Sequence, residues 1–194
     1  MQRDLKRLLA YSTIENVGLV VFALGLSLSF RANELFDLSA LALAAALAHV
    51  LNHAFFKSLL FCGAGVIHEA THERDIEKLG GLVRRMPYTS LFMLMGALAA
   101  AGLPPLNGFV SEWLILQAVF ASSSLQDNLP RLIVPLTGAA LALTAALAAA
   151  GFVRAFGIAF LGRPRSEAAA KAVEPTGSML TGLALLAGSC LVLG

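Results

Sequence analysis

Residues 40–67, ALALAAALAHVLNHAFFKSLLFCGAGVI, decide the fold class of this chain. A helix needs about 20 mostly apolar residues to cross the hydrocarbon of a bilayer. This run exceeds that length and carries only His49, His53 and Lys57 as ionisable groups. Working outward, comparable runs occupy 8–30, 89–121, 132–153 and 177–194. The chain is therefore predicted to be an all-α, polytopic transmembrane helix bundle with about five spans, forming a single transmembrane domain over residues 1–194. Composition agrees, since 58% hydrophobic and 13% charged residues with a mean hydropathy of +0.78 lie outside the range of soluble domains. The last run stops at Gly194 and is expected to be truncated or barely sufficient to span.

Basic residues between the runs set the expected orientation. Arg3, Lys6 and Arg7 precede the first span, Arg74, Lys78, Arg84 and Arg85 follow the second, and Arg154, Arg163, Arg165 and Lys171 follow the fourth. The other two connections hold one basic residue each, Arg31 and Arg131. The positive-inside rule then predicts a cytoplasmic N-terminus, Met1 included, in the inner (cytoplasmic) membrane. Residues 69–87 and 163–176 read as the polar loops, the second with a short surface helix from Ser166 to Val173. The first run is too long for a signal-peptide core and contains Glu15, so it is expected to stay in the membrane.

Ionisable residues inside apolar spans are where chemistry is expected, because an ionised group near the bilayer centre costs about 2.5–3.5 kcal/mol on insertion scales. His49, His53 and Lys57 stand at i, i+4 and i+8 and share one helix face. Successive rungs rise about 6 Å, a gap that one water bridges. Imidazole both accepts and donates a proton near neutral pH, so the stripe reads as a proton relay. The same stripe also reads as packing histidines with a snorkelling lysine. Zinc fits less well: the histidine spacing suits it, but Val50 stands where an H-E-x-x-H site carries glutamate. Glu15 lies about 12 Å beyond Arg7 and Lys57 about 15 Å from the end of its span. That shared depth makes Glu15 the expected counter-charge, with Ser12, Asn16 or another subunit as its alternative partners.

The run 89–121 is too long for one simple span, and Gly102-Leu103-Pro104-Pro105-Leu106-Asn107-Gly108 explains why. Prolines remove helix hydrogen bonds and glycines relax the backbone, so a break is predicted over 102–108 with Gly102, Pro104, Pro105 and Gly108 as its hinge. Broken membrane helices line cavities or lie buried in protein, and transporters use them at coupling sites. Glu112 is predicted in the first turn of the outer half-helix, either as a carboxylate held by the helix dipole or as the acceptor at the end of a relay. His68 and His72 read as solvated residues, and Leu141 to Ala150 as small-residue scaffold for close helix packing. Cys62 and Cys190 form neither a disulfide framework nor a metal spacing. Dispersed basic residues exclude a nucleic-acid partner. No motif for flavin, NADH, iron–sulfur or nickel appears, so no cofactor and no catalytic site are expected in this chain.

Three motifs carry a resemblance to a known family. Asp4-Leu5-Lys6-Arg7-Leu8-Leu9-Ala10-Tyr11-Ser12, His49-x-x-x-His53-Ala-Phe-Phe-Lys57 and Pro104-Pro105-Leu106-Asn107-Gly108-Phe109-Val110-Ser111-Glu112 resemble the antiporter-like proton-translocating subunits. Respiratory complex I, Mrp sodium/proton antiporters, formate hydrogenlyase and hydrogenase-4 share these subunits. Ser12-Thr13-Ile14-Glu15-Asn16-Val17-Gly18 and Arg84-Arg85-Met86-Pro87 look most like the hydrogenase-4 and formate hydrogenlyase branch. The resemblance implies proton translocation in a redox-driven oxidoreductase complex. Lys6 would link to a preceding channel half, His49 and His53 relay protons, Lys57 serve as the central lysine and Glu112 as terminal carrier, with Glu15 beside them. It implies partner membrane and redox subunits, and the second of two inverted repeats, so that the chain is expected to be the C-terminal part of a longer subunit. An Mrp-type antiporter subunit moving sodium against protons, or a non-conducting structural remnant, are the alternatives.

Overall fold

The computed structural model describes residues 2–126 and 128–194; Met1, whose side of the membrane the loop charges predict, and Asp127 lie outside them. Among the described residues the chain is all-α, with no strand. The helices run α1 (Leu5–Ala32), α2 (Phe36–Thr71), α3 (Leu82–Arg85), α4 (Pro87–Ala100), α5 (Asn107–Phe120), α6 (Asn128–Phe160), α7 (Glu167–Lys171) and α8 (Ser178–Val192). Three of them, α1, α2 and α6, are long and apolar enough to cross a membrane, and α4 and α8 are shorter apolar helices.

Local chemistry fixes the ends. Asp4 caps α1 by accepting from the Arg7 backbone N–H at 3.0 Å. A three-residue turn with Glu34 at φ 59 reverses the chain into α2. The hairpin is tied near its turn by the Ser27 hydroxyl donating to the Ser39 carbonyl at 2.9 Å. Helix α2 is the centre of the bundle, packing on α1, α4, α5 and α8. Small residues let it sit close to its neighbours: Ala42, Ala45 and Ala46 are fully buried, and Gly63 receives the Met93 side chain of α4.

The predicted interruption is present, with shifted limits. Helix α4 ends at Ala100 and α5 begins at Asn107, so the break covers 101–106 and Gly108 belongs to the helix. Asn107 is held early because its carbonyl accepts from Asn52 Nδ2 at 2.7 Å while its own Nδ2 donates to the Asn52 carbonyl at 3.3 Å. Gly108 is needed for proximity, since a Cβ there would run into the Ala99 carbonyl. In consequence Glu112 lies beyond the first turn of α5, which contains no acidic residue.

The segments read as polar loops are built into the structure instead. Leu5 N–H donates to the Arg74 carbonyl and Ile76 N–H to the Arg3 carbonyl, both at 3.0 Å. Gly80 N–H donates to the Ala159 carbonyl at 3.0 Å and Arg165 N–H to the Leu79 carbonyl at 3.0 Å. Ile76, Leu79, Leu82 and Met86 are completely buried. The chain start, the α2–α4 connection and the α6–α7 connection thus form one belt at a single end of the bundle. Helix α6 continues past the predicted limit of 153 to Phe160, so Arg154 is helical and pairs with Glu77 at 3.4 Å. Its middle, Leu141 to Ala150, the stretch read as scaffold, is mostly exposed within this chain.

Candidate functional site

Three buried polar side chains meet where α1, α2 and α5 converge. His49 is fully buried, its Nε2 lying 3.1 Å from Asn16 Oδ1 on α1 and its Nδ1 2.9 Å from Ser111 Oγ on α5. Asn16 donates through Nδ2 to the Ser12 carbonyl at 2.6 Å, and a carbonyl can only accept. This fixes the amide orientation, turns Oδ1 toward His49, and so puts the imidazole hydrogen on Nε2.

Lys57 stands at the other end of the same track. It is 5% exposed, donates to the Leu9 carbonyl at 3.0 Å and to the Ser12 hydroxyl, and lies 5.9 Å from the centre of the Phe152 ring. Among the described residues no direct ion pair joins it to Glu15, the counter-charge expected from their shared depth. Glu15 lines instead an open cavity of about 310 Å³ between α1 and α6, together with Tyr11, Ser12, Thr144, Gly151 and Phe152. Ser12 and Phe152 belong both to this cavity and to the surroundings of Lys57.

The predicted histidine stripe is present, its rungs spaced too widely for direct hydrogen bonds. The His49 and His53 rings stack at 6.5 Å between centroids, and His53 Nε2 is buried with no hydrogen-bond partner among the described residues. A second polar line runs from Lys57 to the Ser12 hydroxyl and, from the Ser12 carbonyl, through Asn16 on α1 to His49 and Ser111. Glu112 is half-buried, its carboxylate lying over the backbone of Gly102, at φ +63, where a Cβ would overlap it. Pro104 and Pro105 are exposed in the break. Lys6 is half-buried in the first turn of α1, and no hydrogen bond or ion pair ties its side chain among the described residues. No group of three or more His, Cys, Asp or Glu side chains among those residues is placed to hold a metal ion.

Sequence reasoning named Ser12 and Asn16 only as alternative partners of Glu15, and gave no relay role to Ser111 or to the Asn52–Asn107 pair beside the track. The available signal was uncharged polar residues recurring at helical spacing inside apolar spans, 12 with 16 and 107 with 111.

Residues 1–129 match the family described as NADH:quinone oxidoreductase/Mrp antiporter, TM. The chain belongs to that family. Within the NADH:quinone oxidoreductase/Mrp antiporter family it is 43% identical to hydrogenase-4 component B of Escherichia coli (strain K12), over 99% of this chain and 29% of the relative. It is also 43% identical to formate hydrogenlyase subunit 3 of the same organism, over 100% of this chain and 32% of the relative. The resemblance of Ser12–Gly18 and Arg84–Pro87 to the hydrogenase-4 and formate hydrogenlyase branch agrees with these two. Among solved structures, a chain of respiratory complex I from Thermus thermophilus with bound NADH superposes with a TM-score of 0.74 at 25% identity. That superposition covers 100% of this chain and 36% of the other. The chain thus spans about a third of the length of the relatives it matches, and it is a multi-pass membrane protein of antiporter-like fold.

Proposed function

We propose that this chain carries part of a proton path across the inner membrane, as an antiporter-like subunit of a redox-driven complex of the hydrogenase-4, formate hydrogenlyase or NADH:quinone oxidoreductase type. The observation that carries the reading is the line Lys57–Ser12–Asn16–His49–Ser111, buried between three apolar helices. Such groups are expensive to bury in a membrane unless they face partners or a water path, and this line supplies partners on three helices. Lys57 is the central protonatable group. Glu15 exchanges protons with it through water in the adjoining cavity, which is polar at Ser12, Glu15 and Thr144 and large enough for several waters. His49 passes the proton toward α5, His53 offers an unpaired nitrogen beside it, and Glu112 at the break is the terminal carrier. Lys6 links to a neighbouring channel half, and the hinge of Gly102, Pro104, Pro105 and Gly108 keeps α5 separate from α4. The belt end, rich in Arg and Lys, faces the cytoplasm. Redox chemistry belongs to partner subunits.

Lys57 decides between a relay and a structural cation. Lys57→Met removes the protonatable site at similar length, and Lys57→Arg keeps a cation that does not release its proton at any working pH. Proton translocation by the assembled complex should fall about 100-fold in both variants, on the scale of a lost proton-transfer group, with assembly retained and no dependence on sodium. Normal translocation in the arginine form would make Lys57 a packing cation and end the relay reading.

A further inference from the structure

The surroundings of His49 separate its two nitrogens by function. Nε2 faces Asn16 Oδ1 at 3.1 Å, and the Asn16 amide cannot turn over because its Nδ2 is engaged by the Ser12 carbonyl at 2.6 Å. The nitrogen free to gain or lose a hydrogen is therefore Nδ1, which faces Ser111 Oγ at 2.9 Å. Ser111 is fully buried, and its hydroxyl has further acceptors within reach, the Gly108 carbonyl at 3.1 Å and the Asn107 carbonyl at 3.4 Å.

We propose that Ser111 is a positioning residue for the relay, a two-way hydroxyl that keeps His49 fully hydrogen-bonded whether its Nδ1 carries a proton or not. With Nδ1 bare, the Ser111 hydroxyl donates to it. When a proton arrives on Nδ1, the imidazolium N–H donates to Ser111 Oγ, and the hydroxyl hydrogen turns to the Gly108 carbonyl. Nδ1 gains one proton, the hydrogen bond between it and Ser111 reverses direction, and neither His49 nitrogen nor the Ser111 hydroxyl is left unpaired in either state. A serine inside a helix ordinarily bonds back to a carbonyl three or four residues earlier and does nothing more. Here that carbonyl is the alternative acceptor that frees the oxygen lone pair for His49. The site also joins the relay to the break, because Gly108 and Asn107 are the first residues of α5, the former pressed on the Ala99 carbonyl and the latter paired with Asn52. A shift of α5 would move the acceptor that the second state needs.

The inference rests on the proton-path reading, and the test separates the two. Ser111→Thr and Ser111→Val, close in shape and differing by the hydroxyl, are introduced into the full-length subunit, and proton translocation is measured per assembled complex. Threonine should stay within about twofold of the parent and valine should fall by about tenfold or more, the scale of one buried polar group left unpaired. Valine translocating at the threonine rate would overturn the role of Ser111. If both variants lose activity, crowding is the cause, and Ser111→Ala decides: it fills less space than serine, so normal translocation overturns the proposal and a tenfold loss upholds it. Lys57→Met in the same series reports on the relay itself; if Lys57→Met translocates normally, both readings fall, whereas a normal Ser111→Ala beside an inactive Lys57→Met removes Ser111 alone.

Discussion

Two polar regions of this molecule are built in opposite ways. The belt at the basic end takes its order from the backbone: Leu5 and Ile76 exchange hydrogen bonds with the carbonyls of Arg74 and Arg3, and its ion pairs are partly exposed, as between Arg3 and Glu77 at 3.3 Å. The track between α1, α2 and α5 takes its order from side chains that bond to one another and to helix carbonyls, with Lys57, His49 and Ser111 each buried and each tied to another helix. Exposed ion pairs contribute little and are screened by salt, while a buried polar group that loses its partner costs its desolvation. The belt should therefore tolerate side-chain changes and hold position. The track should respond to single atoms.

The largest effects should come where the track meets the break. A Cβ at Gly108 meets the backbone carbonyl of Ala99, which cannot move without opening the α4–α5 crossing. Gly108→Ala is expected to destabilise by about 3 kcal/mol or more, read as a collapse in the amount of subunit in the membrane. A Cβ at Gly102 meets only the carboxylate of Glu112, the end of a flexible side chain, although φ +63 adds strain. Gly102→Ala should cost about 1 kcal/mol in stability while displacing Glu112, so translocation should fall further than abundance does. Equal losses in both quantities for the two variants would erase the distinction between them.

Next to the belt, where one side chain holds a helix start, the expectation reverses, with abundance affected and translocation per complex preserved. Glu174, in the connection before α8, accepts from the backbone N–H groups of Tyr88 at 2.9 Å and Thr89 at 3.0 Å and from the Thr89 hydroxyl. It caps the start of α4, where Pro87 occupies the first position and Met86 offers no side-chain cap. Glu174→Ala should lower stability by about 1–2 kcal/mol, measured as a lower midpoint in thermal unfolding of the purified complex. Translocation that falls in proportion beyond the loss of protein would place Glu174 in the path instead.

Apolar length and proline chemistry made the helices and the break legible in the sequence, and helical spacing made the His49–Lys57 stripe legible. The route between its members was not. Ionisable groups draw attention because burying charge is costly, yet His49 and Lys57 are joined by Ser12 and Asn16, whose neutral side chains satisfy backbone as readily as neighbours. The belt was hidden for a related reason. Arg74, Lys78, Arg84 and Arg85 mark 69–87 as polar, but Ile76, Leu79, Leu82 and Met86 recur at spacings of three or four between them and turn into the core. Arg154 was misplaced because a long side chain can reach a polar partner from within a helix, here Glu77.

The smallest effect concerns acid, and it separates backbone order from charge within the belt. The Glu73 carboxylate accepts from the backbone N–H of Asp75 at 3.1 Å and of Arg74 at 3.0 Å, and pairs with Lys78 at 3.3 Å. Those backbone donors first, and Lys78 after them, hold its carboxyl below the usual carboxylate range. A group whose folded value is depressed adds stability above its ordinary value and loses it as the pH falls through that value toward the folded one. Hydrogen exchange at the Arg74 and Asp75 amides, corrected for intrinsic rates, should therefore quicken in acid in the parent. In Glu73→Gln the same amides should show no such acid step. Because the backbone donors outweigh Lys78, raising the salt should leave the step nearly in place. A step abolished by salt would mean that the Lys78 pair, and not the turn at 73–75, holds this edge of the belt.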